Sequence, residues 1–249
     1  MIYNIGDIDR ELANNMKGSG GKRLKETLAK KIAEQETMLD VFEVSIKHCN
    51  QQIELCTDKA AAEQNELKRQ EYDNTRIVFE DNKLIWNISG FITLISIDIP
   101  ASVKTIQAGM YFAETEWHKR FYARQICTIM YESAKDIFEL LGKDFKAIII
   151  KRIDITPFEH ELRNIRARLR QFQTTYSDYL QLVRNNTAAH KDQDVLKQLD
   201  IITNINWSET IQMTITFERI INDLGAFLQK LISSGLVSLK SSPVEYGKR

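Results

Sequence analysis

The sequence predicts an all-α protein: a long N-terminal coiled-coil-like helix followed by an antiparallel helical bundle. Three observations carry this. Only three prolines (Pro100, Pro157 and Pro243) occur in 249 residues, and proline is the residue that breaks helices. Apolar residues recur at alternating steps of three and four along most of the chain, the spacing of one helix face. Hydrophobic residues make up 43% and charged residues 27%, enough for a sizeable core under a solvated surface.

The formal net charge is zero, so a general nucleic-acid or membrane coat is not indicated and any polyanion site must be a local patch. Cys49, Cys56 and Cys127 are an odd, sparse set. That is not a disulfide framework, and a reducing compartment is the simpler reading. Met1 to Asp9 has no apolar core, so it does not read as a signal peptide, and the expected location is cytoplasmic. The most apolar run, Leu84 to Ile99, contains Asn87 and Asp98. It falls short of the about 20 residues a bilayer span needs, so a buried helix is expected there and no membrane partner.

Residues 1–21 end in Lys17-Gly18-Ser19-Gly20-Gly21 and read as a flexible N-terminal segment. Residues 22–99 form the N-terminal helical region. Its seam runs Leu28, Ile32, Gln35, Leu39, Phe42, Ile46, Cys49, Ile53, Cys56, Ala60, Glu63, Leu67, with Gln35 and Glu63 as polar breaks. Such a heptad seam packs along a partner helix, either a second copy or a later helix of the same chain. A second helical block runs from about Asn74 to Ile99, and Pro100 is expected to end or bend it. Residues 100–235 form the bundle. One helix is expected over Ser102–Leu141 with Gly142 as its stop. Ala147-Ile148-Ile149-Ile150 is a short strand or a buried helical turn. Thr156 and Pro157 read as the cap and first residue of the next helix. That helix carries Leu162, Ile165, Leu169, Phe172, Tyr176, Tyr179 and Val183 at three/four spacing. His190 to Asp194 reads as a polar turn. The last helix starts near a Ser208 cap with Ile211, Ile215, Ile220, Leu224, Phe227, Leu228 and Leu231 as its apolar residues, and it fades at Ser233-Ser234-Gly235. Residues 236–249 read as a flexible tail.

Much chemistry is excluded. There is no GxSxG, HExxH, CxxC or glycine-rich dinucleotide fingerprint. The four histidines and three cysteines do not form a zinc-ligand pattern; His48 points about 100° away from Cys49 on a helix. No metal and no cofactor is expected. Glu159 and Glu161 sit in a first helical turn, where acids favour the macrodipole.

The positive signal is Val183-Arg184-Asn185-Asn186-Thr187-Ala188-Ala189-His190-Lys191-Asp192. An Arg precedes a polar Asn, and five residues separate it from a His, at the end of a long amphipathic helix. This stretch resembles the HEPN superfamily, and its "RN…AH" wording is similar to the abortive-infection and toxin-related branch. At fold level the likeness covers roughly residues 100 to 235. The resemblance implies a helical bundle that dimerises and, in active members, cleaves RNA without a metal. It implies His190 as general acid or base, suited by an imidazole that titrates near neutrality. It implies Arg184 as a charged fork for the phosphate and Asn185 as a positioning group. The same residues also suit ordinary helix-end capping, and many such domains bind without catalysis.

On an ideal helix, at about 100° per residue, Arg166 lies beneath Arg184, and Arg163 and Arg170 fall within roughly 60° of that line. The three make a candidate RNA-binding stripe, or else a solvated basic face partly paired with Glu159. The same arithmetic turns His190 about 120° from Arg184. The two converge only if the helix breaks between Asn185 and Ala189, or if a site forms across a two-fold axis. Arg124 and Glu132, on an earlier helix, can line the same cleft or form an ion pair. The function expected is a metal-independent endoribonuclease of toxin or phage-defence type, acting on RNA as a homodimer. The alternative is a non-catalytic helical module that binds RNA, a nucleotide or a protein, with an antitoxin or other protein partner on the N-terminal helix.

Overall fold

The computed structural model describes residues 19–112, 115–152, 155–188 and 194–241. Among these residues there are seven α-helices and no strand: α1 (Ser19–Ala62), α2 (Glu66–Phe112), α3 (Glu116–Leu140), α4 (Lys143–Arg152), α5 (Glu159–Val183), α6 (Val195–Thr203) and α7 (Trp207–Ser241). A π-helical turn, Arg184–Ala188, follows α5 directly.

The three/four seam of α1 closes on α2. Phe42, Cys49, Cys56 and Ala60 are buried. Phe42 lies 5.8 Å from Trp86, His48 meets Phe79 edge-on at 5.9 Å, and Lys59 sits 5.7 Å over Tyr72. Partner numbers fall as α1 numbers rise, so the hairpin is antiparallel and the seam's partner is a later helix of the same chain. His48 is exposed where Cys49 is buried, as their angular separation on a helix requires. At the turn, Glu63 Oε1 accepts the Asn65 N–H at 3.0 Å. Asn65 Oδ1 accepts from the Leu67 and Lys68 N–H groups at 3.0 and 3.3 Å and caps α2. The seam stops there: Glu63 is in the turn and Leu67 is 78% exposed, not packed. At its other end α1 begins at Ser19, inside the glycine-rich stretch expected to be a joint.

Pro100 does not end the second helix; it lies buried within α2. An interior proline costs a helix about 3 kcal/mol, but Ile88, Ile92, Ile95 and Ile99 are all buried at three/four spacing on α2. Each buried isoleucine contributes about 1.5–3 kcal/mol, so packing outweighs the proline. The helix expected over Ser102–Leu141 is therefore divided: residues 102–112 complete α2, and α3 starts at Glu116. The expected boundary between residues 99 and 100 falls inside α2. Among the described residues the stretch Glu66–Ser102 is long and apolar enough to cross a membrane by length and composition, and 44% of its most apolar window is buried inside the molecule.

Helices α3, α5 and α7 pack with α2 around one core that includes Met130, Ile137, Leu169, Phe217 and Phe227. Phe172 lies 5.0 Å from Phe217, and Phe158 meets Phe227 edge-on at 6.4 Å. The segment Ala147–Ile150 is helical: α4 puts Phe145 and Ile149 into the core and leaves Ile150 outside. Gly142 follows the end of α3 and donates to Glu139 O at 2.9 Å. Thr156 and Pro157 sit in a turn before α5 rather than starting it, and Phe158 takes the cap position without a side-chain cap bond. Two corrections concern the C-terminal third. Helix α6 occupies Val195–Thr203, capped by Asp194 Oδ1 through the Leu196 and Lys197 N–H groups at 3.0 and 3.2 Å. Helix α7 is capped by Asn206, which accepts the Glu209 N–H at 3.3 Å, and runs through Ser233-Ser234-Gly235 to Ser241. On α7, Ile215 is 43% exposed while Met213, Phe217 and Ile221 are buried.

Candidate nucleic-acid interface

The long apolar face of α5 sets the site. Leu162, Ile165, Leu169, Phe172, Leu180 and Val183 are buried, which rotates the arginines of α5 to the edge of its contact with α3. There Arg166 and Arg170 lie 5.8 and 5.6 Å from the ring of Phe138. Arg184 lies 5.8 Å from the ring of Tyr131, seven residues earlier on the same face of α3. Between these points Gln173 Nε2 donates to Ala134 O at 3.1 Å. The basic edge is thus interleaved with aromatic rings, and each guanidinium lies within cation–π distance of its ring.

Arg163, Arg166 and Arg170, with Lys146 of α4, line a groove of about 270 Å³ whose one acid among the described residues is Glu159. Among the described residues none of the three arginines forms an ion pair, and the expected Arg163–Glu159 pair is absent. A guanidinium that rests its face on a ring keeps its in-plane N–H donors, which suit phosphate oxygens. Arg168, on the opposite side, is paired with Asp223. Glu161 does more than face the helix dipole: its Oε1 and Oε2 accept from Lys230 Nζ at 2.8 and 2.9 Å.

Arg184 differs from the stripe. Its Nε donates to Glu132 Oε1 at 2.6 Å, its Nη2 lies 2.5 Å from the same oxygen, and its Nη1 donates to Asn185 Oδ1 at 2.9 Å. Its side chain is 27% exposed and that of Glu132 40%. The fork expected to face a phosphate is engaged by a carboxylate and by the neighbouring amide, and Glu132 pairs with Arg184 rather than with Arg124, beside which the sequence sets it. Arg124 is not part of this set; it lies 5.7 Å from the ring of Phe121, and burial lowers its pKa. The helix does change at the motif. From Arg184 to Ala188 it widens to π geometry, and Asn186 Nδ2 donates back to Leu182 O at 2.8 Å. Asn185-Asn186-Thr187 has low helix propensity, which favours this change. His190 lies outside the described residues, so the Arg184–His190 distance is not part of this geometry.

One further cluster lies beneath the motif in the core. The Tyr179 hydroxyl is buried near Thr210 and the Asn206 backbone, and burial, then the nearby Cys127, pushes its pKa up. Burial pushes the Cys127 thiol up to about 12. A thiol held protonated is a poor nucleophile, so Cys127 packs rather than reacts. Sequence reasoning missed Phe138, Tyr131 and Lys146; the first two were legible as ring positions one heptad apart, but nothing in the sequence paired them with α5.

Comparison with protein-family models, with curated proteins and with solved structures gave no match.

Proposed function

We propose that this chain is a HEPN-like helical protein of toxin or phage-defence type that binds single-stranded RNA through the groove of Arg163, Arg166, Arg170 and Lys146. The observation that carries this reading is the set of three arginines that form no ion pair among the described residues, two of them against Phe138. Backbone phosphates are the polyanion that such a row of in-plane donors fits, and an aromatic-interleaved basic groove is how sequence-tolerant binding to single strands is built. The test is fluorescence anisotropy with a labelled single-stranded RNA over a salt series. The Arg163→Ala/Arg166→Ala/Arg170→Ala variant is expected to lower the salt slope by roughly two units. An unchanged slope reduces the stripe to a solvated face.

Metal-independent cleavage is the second reading, carried by the Arg184-Asn185…His190 motif; since a helix turns His190 about 120° from Arg184, it is a reading that needs a second copy of the chain. In that reading His190 moves the proton, Arg184 exchanges Glu132 for the phosphate, Asn185 steadies the fork, and a ribose 2′-hydroxyl is the nucleophile. A homodimer would form on the face that carries the motif. There the α6 residues Val195, Leu196 and Leu199 are exposed on a helix that packs beside the π turn, an apolar set that a second copy can cover. Light scattering at micromolar concentration tests it: a monomer refutes that face as a dimer contact.

A further inference from the structure

The antiparallel hairpin and α7 line a half-open cavity of about 560 Å³ on the side of the molecule formed by α1, α2 and α7. Sites for small molecules span about 300–1,000 Å³. Two independent observations mark this one as built rather than left over. First, polar atoms are buried at it without partners. Among the described residues Gln35, the polar break in the α1 seam, has its Oε1 buried without a hydrogen-bond partner, and Ser89 of α2, 4% exposed, likewise has its Oγ buried without one. Thr93 and Ser96, also buried, continue that hydroxyl row on α2. An unsatisfied buried polar atom is costly, so such atoms ask for a ligand or water to satisfy them. Second, the opposite wall carries Gly225 in the middle of α7, where a Cβ would meet nothing within 4 Å. Glycine is a poor residue for a helix interior, and here its missing side chain keeps the cavity open.

From these features we infer that the cavity binds a neutral adenine nucleoside. Turned out into the cavity by rotation of its side chain, the Gln35 amide offers a donor beside an acceptor, and this pair matches the N6/N7 edge of adenine. Guanine offers two acceptors on that edge and would leave Gln35 Oε1 unpaired. The hydroxyls of Ser89, Thr93 and Ser96 suit a ribose or the remaining ring nitrogens, and Trp86, 5.8 Å from Phe42, supplies an aromatic face. A phosphate is disfavoured. The one cation among the lining residues, Lys31, already donates to Asn222 Oδ1 at 3.0 Å, and Glu34 also lines the cavity. The inference is independent of the arginine groove and of Arg184.

Isothermal titration of the full chain with adenosine tests it, with guanosine, AMP and a short oligo-adenylate as comparisons. Saturable adenosine binding is expected, with guanosine and AMP each at least roughly tenfold weaker. Gly225→Leu should fill the cavity and Gln35→Leu should remove the amide at a seam position that accepts an apolar side chain. Each is expected to retain helical circular dichroism and cooperative melting while losing at least roughly tenfold in adenosine affinity. The Arg163/Arg166/Arg170 triple variant should bind adenosine as the parent does. Absence of a saturable adenosine signal, as a cavity holding only water would give, overturns the inference. So does equal binding of guanosine, binding of the oligo-adenylate but not of adenosine, or unchanged affinity in whichever of the two cavity variants folds.

Discussion

Breaking the Arg184–Glu132 pair is the most informative perturbation near the motif. Two guanidinium nitrogens lie 2.6 and 2.5 Å from one carboxylate oxygen, on side chains 27% and 40% exposed. A fully exposed pair contributes about 0.2–1 kcal/mol, and breaking a fully buried one costs about 3–5 kcal/mol. The partial exposure and the solvent screening of Glu132 put the coupling between these limits, at about 1–2 kcal/mol. A double-mutant cycle of Arg184→Ala and Glu132→Ala, read by urea unfolding, measures it directly. For a chain of this length Glu132→Ala is expected to lower Tm by about 2–8 °C. The functional arm uses Glu132→Gln, which removes the charge that competes for the fork. If Arg184 exchanges Glu132 for a phosphate, this variant should bind RNA more tightly, with a salt slope steeper by roughly one unit. Zero coupling in the cycle together with an unchanged slope would refute both the pair and the exchange.

Three other outcomes follow from the described geometry. On the cleavage reading, His190→Ala should lower RNA cleavage by about 10²–10⁴-fold with EDTA without effect, as measured on a labelled RNA; cleavage only on addition of a divalent metal would sink that mechanism. Gly142→Ala should destabilise by about 1–3 kcal/mol, because a Cβ there would stand 2.7 Å from Glu139 O, a backbone atom; chemical denaturation reads the change. The Cys127 thiol is raised by burial from 9.0 to about 12, so its protonated form is favoured in the folded state. Its contribution to stability is fully present below pH 9, falls as pH rises above that value, and is lost through about 12. Cys127→Ala should flatten that part of a stability–pH profile, and a parallel profile would contradict the assignment.

The parts of the fold legible in the sequence are those where one period persists. Phe42, Cys49, Cys56 and Ala60 are buried on α1, and Leu162 to Val183 on α5, as their spacing predicts. Local punctuation was less reliable, because tertiary packing overrides it. Pro100 reads as a stop, yet it lies inside α2, whose isoleucines before it, Ile88 to Ile99, hold the helix on the core. Ser208 reads as a cap, yet Asn206 holds that position. Helix α6 was overlooked although Val195, Leu199 and Ile202 fall at three/four spacing behind the Asp194 cap; at nine residues it is short, and of those three only Ile202 is buried. At the site, the position of the three arginines on α5 was legible from angular arithmetic. The engagement of Arg184 was not, since a single helix says nothing about which residue of α3 faces it. The carboxylate of Glu132, 52 residues away in sequence, became its partner only through the packing of α3 on α5.

The three-residue turn at Glu63–Asn65 bears on how the chain assembles. Lys59 and Tyr72 close a short loop across it, and the pairs further out, His48–Phe79 and Phe42–Trp86, can then form in sequence like the teeth of a zip. Each step adds little loop-closure entropy to the one before. By contrast the contacts of α1 with α7, Lys31 with Asn222 and Met38 with Gln229, join residues 191 apart in sequence. Contacts of such separation are late and slow to form. The hairpin is therefore expected to be an early kinetic unit and the docking of α7 a late one, so a destabilising change on the α1-facing side of α7 should speed unfolding while leaving the folding rate nearly unchanged.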